Sequence, residues 1–142
     1  MNIPTIIKGS VHQDQRGSLF YNNDFEMSDI KRMYVISNTS LNFYRGWQGH
    51  KIESRWFQPI IGKYQIFVVG IESELQTDPE SYSFEIDANN SETLYVPKGH
   101  ATCIKTMTEM NKLAVFSDYA MGAINDEHRF EVGHFNLIMM NS

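Results

Sequence analysis

Hydrophobic and polar residues alternate along much of the chain, and a period of two residues is typical of half-buried β-strands. In the segment 31–37 this alternation places Tyr34 and Ile36 on one face of a strand. The residues between and beside them, Met33 and Val35, fall on the opposite face. The segment is therefore predicted to be a strand that turns Tyr34 and Ile36 to the same side.

The same pattern recurs in short segments separated by turns that are rich in Asn, Gly, Pro and Ser. Further strands are predicted at 55–62, 63–71, 82–87, 92–97, 101–107 and 112–118. Only the segment 124–132 suggests a helix, and a short one. Evenly spaced strands without helices between them predict a sandwich or barrel, and the length suits a double-sheet jelly roll. Because there is no repeat, low-complexity segment or linker, residues 1–142 are expected to form one all-β domain.

The composition narrows the function classes. The chain has 142 residues, a formal net charge of −5 and one cysteine, Cys103. It lacks the basic surface by which proteins bind nucleic acids or anionic membranes, although a few arginines can still bind a phosphate group. A single cysteine excludes an intrachain disulfide and fits a reducing compartment. With no secretion signal and no apolar run near the roughly 20 residues of a membrane helix, a cytoplasmic protein is expected.

The segment 45–51 (RGWQGHK) combines two glycines with large polar side chains. Glycine weakens a strand unless something approaches the backbone closely. If the segment is extended, Gln48 and His50 share one face, where they would place an amide beside a titratable imidazole. The other face then carries Arg45, Trp47 and Lys51. A half-buried structural histidine and a functional one are equally compatible with this pattern.

Two further segments contain candidate residues. Residues 14–17 (DQRG) include Arg16 and are read most simply as a turn before a strand. Residues 95–100 (YVPKGH) form a strand and a Pro-Gly turn, followed by His100, which fits either a hairpin turn or a second histidine at the mouth of a barrel.

A metal site needs convergent ligands, and His50, Glu53 and His100 are the set to consider. A strong site would include a His-x-His pair, but the first position of that pair is Gln48 here, and a neutral amide is a poor ligand for a transition metal. We therefore expect no tightly bound metal and no cofactor.

Taken together, these segments resemble the dTDP-4-keto-6-deoxyhexose 3,4-ketoisomerases, which are related to the dTDP-4-dehydrorhamnose 3,5-epimerases. The resemblance rests on the segments 14–19, 31–36, 45–51, 94–97 and 116–119, together with Gly62 and His100. It spans most of the chain between Asp14 and about Arg129. It implies a cupin-type double-stranded β-helix, a homodimer, and a dTDP-sugar as substrate in bacterial surface-polysaccharide synthesis.

The resemblance also implies roles for individual residues. The ketoisomerase motif usually reads Arg-Gly-aromatic-His-Ala-His-Lys, so Gln48 stands at the first histidine and His50 at the second. His50 is then the expected base and Tyr34 the acid or oxyanion donor, while Gln48 is expected to donate its amide hydrogens to the sugar carbonyl. The residues expected to contact the diphosphate, the sugar or the nucleobase are Arg16, Arg45, Trp47, Lys51 and His100.

Three functions remain open. The first is an isomerase or epimerase of a dTDP-4-keto-6-deoxyhexose that removes the proton beside the ketone. The second is an inactive cupin that binds a nucleotide sugar or a partner protein, because a glutamine amide cannot replace a catalytic base. The third is a metal-dependent cupin enzyme. Bound metal in the purified protein would favour the third, and a tight dTDP complex without turnover would favour the second.

Overall fold

A computed structural model describes residues 3–71 and 80–135. The strands are β1 Thr5–Ile7, β2 Ser10–Asp14, β3 Gly17–Tyr21, β4 Arg32–Ile36, β5 Tyr44–His50, β6 Arg55–Ile61, β7 Lys63–Gly70, β8 Ser81–Asp87, β9 Thr93–Val96, β10 His100–Thr106, β11 Lys112–Ser117 and β12 His128–Arg129. A single turn of 3₁₀-helix at Ala88–Asn90 connects β8 to β9.

The strands form two five-stranded antiparallel sheets that pack face to face. The first sheet has the order β1-β9-β6-β11-β4, and the second has the order β12-β5-β10-β7-β8. Strands β2 and β3 form a separate hairpin. Consecutive strands along the chain mostly lie in different sheets, which is the arrangement of a jelly roll. The predicted all-β jelly roll is confirmed.

The expected helix at 124–132 is wrong. This segment contains β12, which pairs with β5, and Phe130 exchanges two backbone hydrogen bonds of 3.1 Å with Trp47. These bonds draw the segment to the edge of the second sheet in an extended form. The described residues contain no α-helix, and so none that is long and apolar enough to cross a membrane.

The core between the sheets confirms the predicted strand faces. Tyr34 and Ile36 pack against this core from β4, whereas Met33 and Val35 are exposed on the other face. The core members with the lowest exposure are Tyr64, Ile66, Val68, Ile86, Leu94 and Leu113. Part of the space between the two sheets is lined by polar residues of β4, β5 and β6.

A second apolar cluster covers the outer face of the second sheet. Trp47 is completely buried there and packs with Phe67, Val69 and Ile71. The indole N–H donates to the carbonyl of Val132 at 2.9 Å, so the segment after β12 closes over the ring. This cluster packs against one face of β5, while the other face of β5 lines the barrel interior.

Candidate functional site

A β-bulge in β5 decides which side chains of the segment 45–51 face the barrel interior. Thr102 of β10 is paired with Gln48, but Ile104, two residues on, is paired with Arg45. Three residues of β5 therefore span the distance of two residues of β10, and the extra residue reverses the alternation. Arg45 consequently shares the inner face with Gln48 and His50 instead of the outer face with Trp47, which corrects the expectation from strict period two.

The two glycines of this segment are required by packing on the outer face. A Cβ atom on Gly46 would overlap the sulfur of Cys103, and one on Gly49 would lie 2.6 Å from Cδ1 of Ile71. The close approach expected from these glycines is therefore made by the protein's own side chains. Burial raises the pKa of the Cys103 thiol to about 12, so this cysteine is unreactive.

A cavity of about 110 Å³ opens between the two sheets at β4, β5 and β6. Its volume is sufficient for several water molecules, so it is more than a packing defect. Its polar lining consists of Tyr34, Arg45, Gln48, His50, Arg55, Thr102 and Arg129. Its apolar lining consists of Ile36, Phe57, Ile104 and Val115. Among the described residues, the lining includes three arginines and no carboxylate, although Arg55 is paired with Glu53 and Arg129 with Glu127.

His50 lies buried in this cavity with a defined tautomer. Its Nδ1 atom is 2.9 Å from the backbone carbonyl of Asp126. A carbonyl can only accept, so Nδ1 must carry the proton in this hydrogen bond, and Nε2 of the neutral ring is left with a lone pair. This is the protonation state that a general base requires.

The surroundings of His50 keep the imidazole neutral. Burial lowers the pKa of His50 below its ordinary value, and the positive charge of Arg55 lowers it further. The negative charges of Glu53 and Asp126 raise the pKa of His50, but the net shift remains downward. His50 is therefore uncharged and able to accept a proton at neutral pH.

Asp126 fixes the turn that follows β5. Its carboxylate accepts hydrogen bonds of 2.8, 2.8 and 2.9 Å from the backbone N–H groups of Lys51, Ile52 and Glu53. Burial alone would raise the pKa of Asp126, but these three N–H donors bring it below its usual value. The same residue therefore holds the turn through its side chain and His50 through its carbonyl.

Tyr34, Arg55 and Glu53 form a hydrogen-bonded chain in which Arg55 and Glu53 are buried and Tyr34 is half-buried. Arg55 donates to the hydroxyl oxygen of Tyr34 at 2.6 Å and forms a close ion pair with Glu53. The carboxylate of Glu53 also accepts from Ser117 at 3.2 Å and lies 3.7 Å from Nδ1 of His50. Because Tyr34 accepts from Arg55, its own hydroxyl proton can be donated into the cavity.

Four of the residues expected at the site do not line this cavity. Trp47 is completely buried in the outer cluster, where no nucleobase could reach its ring. Its expected role of stacking on the nucleobase is therefore wrong. Lys51 lies in the turn after β5, and Arg16 lies on the β2–β3 hairpin, paired with Asp14 at 2.7 Å. His100 is paired with His50 across β10 and β5, but its Nδ1 atom bonds to the carbonyl of Pro97 at 2.9 Å.

Three site residues were missed by the sequence analysis. Arg55 belongs to β6, where strand alternation places it on the same face as Phe57, and this pattern could have identified it. Asp126 and Arg129 lie in the segment that was expected to be helical. Nothing local to that segment indicates that it joins β5, so no signal in the sequence could have placed these two residues.

His50, Glu53 and Asp126 bring possible metal-ligand atoms within 4.8 Å of one another. These atoms already have other partners. Asp126 accepts three backbone N–H groups, Glu53 is paired with Arg55, and Nδ1 of His50 bonds to a carbonyl. The arrangement is that of a hydrogen-bonded ion-pair network, and a metal would have to displace these bonds.

No protein-family model and no curated protein sequence matches the chain. Solved structures do match. The rmlC epimerase of Mycobacterium tuberculosis is 18% identical with a TM-score of 0.75, over 92% of this chain and 70% of that one. A mutant of the QdtA 3,4-ketoisomerase from Thermoanaerobacterium thermosaccharolyticum, in complex with TDP-4-keto-6-deoxyglucose, is 20% identical with a TM-score of 0.71, over 96% and 94%.

A 3,4-ketoisomerase from Helicobacter canadensis is similar over 98% of both chains, with 20% identity and a TM-score of 0.68. At such identities the similarity concerns the fold. The resemblance noted in the sequence is confirmed at that level: the chain folds as the dTDP-sugar epimerases and 3,4-ketoisomerases do.

Proposed function

We propose that this protein is an isomerase or epimerase of a dTDP-4-keto-6-deoxyhexose, and that it removes the proton on the carbon beside the ketone. The observation that carries the proposal is the neutral His50, held through Nδ1 by the carbonyl of Asp126 in a cavity lined by three arginines. A ketone acidifies the neighbouring C–H bond, and a positioned base with a pKa near neutrality is the group that breaks it.

Tyr34 is the proposed acid. It lies on β4 in the first sheet, whereas His50 lies on β5 in the second sheet, so the two side chains enter the cavity from opposite walls. A sugar bound between them would be deprotonated on one side and could receive a proton from the other. Return of a proton to the opposite face of the same carbon gives epimerisation, and protonation at the neighbouring carbon gives ketoisomerisation.

The exposed part of the cavity suits a diphosphate. Arg45 and Arg129 line it and are both exposed, whereas Arg55 and His50 are buried. Arginine binds phosphate oxygens through paired N–H groups. We therefore assign the diphosphate to Arg45 and Arg129 and the sugar ring to the buried part.

One observation favours a second candidate, a pocket that binds a dTDP-sugar without turnover. Gln48 lines the cavity where a second base would stand, and its amide donates to Glu127 at 3.1 Å. A glutamine cannot take a proton near neutral pH. Catalysis would therefore depend on His50 together with Tyr34.

Two measurements distinguish these candidates. Calorimetry with dTDP tests the pocket, and NMR of a dTDP-4-keto-6-deoxyhexose in deuterated water reports exchange at the carbon beside the ketone even when no product accumulates. Binding with exchange supports the enzyme. Binding without exchange supports the second candidate, and the absence of both contradicts the proposal.

Replacing Gln48 by His is expected to raise the exchange rate, because a second imidazole would then face the cavity beside His50. The gain should be about tenfold or more if the new base participates, since a positioned base typically contributes at least about 10²-fold. Gln48→Asn, which also loses the contact with Glu127 but adds no base, is the matched control. An equal rate in both variants would show that this position takes no part in proton transfer.

We also propose the homodimer, on the evidence of the β2–β3 hairpin and the edge strand β4. All five residues of β3 are exposed, including Leu19 and Phe20, and the outer residues Met33 and Val35 of β4 are exposed as well. A lone two-stranded hairpin is marginally stable, and an open apolar edge invites another strand. A second copy that receives the hairpin would cover both surfaces.

Arg16 then remains a predicted phosphate contact, made in the site of the second copy. Its side chain is 80% exposed and does not line the cavity of its own chain. Arg16→Ala is expected to weaken dTDP binding about tenfold in calorimetry, with Lys112→Ala as the control for loss of a surface charge. Sedimentation should give twice the mass of the chain. A monomer, or unchanged affinity, would contradict this assignment.

The cytoplasmic location and the polysaccharide pathway also stay predictions.

A further inference from the structure

Gln48 meets a carboxylate at the place where the cavity opens to solvent. It is half-buried on β5, two residues before His50, and it lines the cavity. Arg129 of β12 is paired with Gln48 across the sheet, and Glu127 lies two residues before Arg129. Nε2 of Gln48 donates to Oε1 of Glu127 at 3.1 Å, and the side chain of Glu127 is 58% exposed.

This hydrogen bond fixes the orientation of the Gln48 amide. A carboxylate can only accept hydrogen bonds, so the NH₂ group must face Glu127, and the amide oxygen takes the branch that points away from it. The reversed amide would place two acceptor oxygens against each other. Arg129 donates to the same oxygen of Glu127 at 3.4 Å and so holds the carboxylate in place. The atom that Gln48 offers to a bound molecule is therefore its oxygen, an acceptor.

Acceptors are scarce in this cavity. The three arginines can only donate, Nε2 of His50 is assigned to the proton beside the ketone, and the Tyr34 hydroxyl already accepts from Arg55. In the part of the chain that the structure describes, the lining offers sugar hydroxyls two other side-chain acceptors, the Gln48 oxygen and the Thr102 hydroxyl. A hydroxyl donates as readily as it accepts, so only Gln48 distinguishes a sugar hydroxyl from a carbonyl.

We propose that Gln48 is a specificity-determining residue whose oxygen accepts a hydrogen bond from a sugar hydroxyl, and that Glu127 is the positioning residue that orients the amide. The inference rests on the proposed function and adds to it the kind of sugar that the site selects. An amide oxygen pairs with a hydroxyl and repels a carbonyl oxygen, so a sugar without a hydroxyl at this position is disfavoured. The sequence analysis expected the opposite polarity, with the Gln48 amide donating to the sugar carbonyl.

The test compares the affinities for dTDP and for dTDP-6-deoxyglucose, in which a hydroxyl replaces the ketone so that no turnover occurs. Calorimetry gives both dissociation constants, and their ratio isolates the contribution of the sugar. Gln48→Met keeps the length of the side chain and removes the amide. The ratio should fall about threefold to tenfold, as expected for one hydrogen bond. Glu131→Gln removes an exposed charge outside the cavity and should leave the ratio unchanged.

The exchanged variant Gln48→Glu/Glu127→Gln separates an acceptor from a donor at position 48. An amide at position 127 can donate to the new carboxylate, so the hydrogen bond and the net charge of the pair are both retained. Position 48 then offers the cavity only acceptor oxygens. The ratio should therefore stay close to that of the parent. A fall as large as that in Gln48→Met would show that Gln48 acts as a donor, and it would overturn the proposal.

Glu127→Ala tests the positioning role. Without the carboxylate the amide can reverse, so the ratio should fall, but less than in Gln48→Met. The side-chain amide protons of Gln48, followed by NMR, should exchange with water faster because they lose a charged acceptor. If both the ratio and the exchange of these protons match the parent, Glu127 does not orient Gln48.

Failure of this inference can be told apart from failure of the proposed function. If the parent binds dTDP and exchanges deuterium beside the ketone, but Gln48→Met keeps the ratio of the parent, Gln48 does not select the sugar and the proposed function stands. If the parent neither binds dTDP nor exchanges deuterium, the proposed function fails, and this inference fails with it.

Discussion

His50→Asn is expected to slow deuterium exchange beside the ketone by about 10²- to 10⁴-fold, which is the usual contribution of a positioned general base. Asparagine can still donate to the carbonyl of Asp126, the partner of Nδ1 at 2.9 Å, but it has no lone pair that takes a proton near neutrality. The affinity for dTDP should change little, because Arg45 and Arg129 are assigned to the diphosphate. NMR exchange and calorimetry measure the two quantities separately.

The pH dependence of the parent gives a second check. Burial, followed by the charge of Arg55, lowers the pKa of His50, so the base is neutral above a pKa that lies below the ordinary 6.5. Exchange should therefore rise with pH on the acidic side, with the midpoint of the rise below pH 6.5. His134→Asn, which changes an exposed histidine outside the cavity, serves as the control. Equal exchange in His50→Asn and the parent would eliminate His50 as the base.

Asp126→Ala is expected to lower the free energy of unfolding by about 3–5 kcal/mol, because three backbone N–H groups lose a charged acceptor in a buried turn. The side chain is only 2% exposed, so water cannot readily replace it. Asp126→Asn keeps one acceptor oxygen, so its free energy of unfolding should fall less than that of Asp126→Ala. Urea denaturation followed by circular dichroism measures both variants.

The stability of the parent should also fall with acid in a way that depends on Asp126. The pKa of Asp126 is lower in the folded protein than in the unfolded chain, where it is about 3.9. Its contribution is therefore present above the unfolded pKa and is lost as the pH falls through the folded pKa. Asp126→Asn should be less sensitive to acid over this range.

Asp118 provides the control for this pH effect. Burial raises its pKa, so its ionisation opposes folding and Asp118→Asn should not reduce the acid sensitivity. If Asp126→Asn and the parent lose stability in parallel between about pH 5 and pH 2, the hydrogen bonds to the turn do not carry the energy assigned to them.

The candidate site separates into residues that local patterns reveal and residues that they do not. Alternation correctly placed Gln48 and His50 on one face of β5, and Tyr34 and Ile36 on one face of β4, because side chains two residues apart in a strand share a face. Arg45 was misplaced, since a single extra residue between it and Gln48 reverses every face before the bulge. The bulge lies beside the contact between Gly46 and Cys103, and it is visible only in the pairing of β5 with β10.

By itself, the sequence determined the all-β class, the inner faces of most strands and the presence of one imidazole on the inner face of the motif. These properties follow from the period of two residues and from turn chemistry, which act over a few neighbours. The tertiary structure decided that Asp126, 76 positions beyond His50, holds the tautomer of the base, and that Arg55 reaches Tyr34 from a different strand. Contacts of this kind depend on how strands from distant parts of the chain are paired, and no local pattern encodes that pairing.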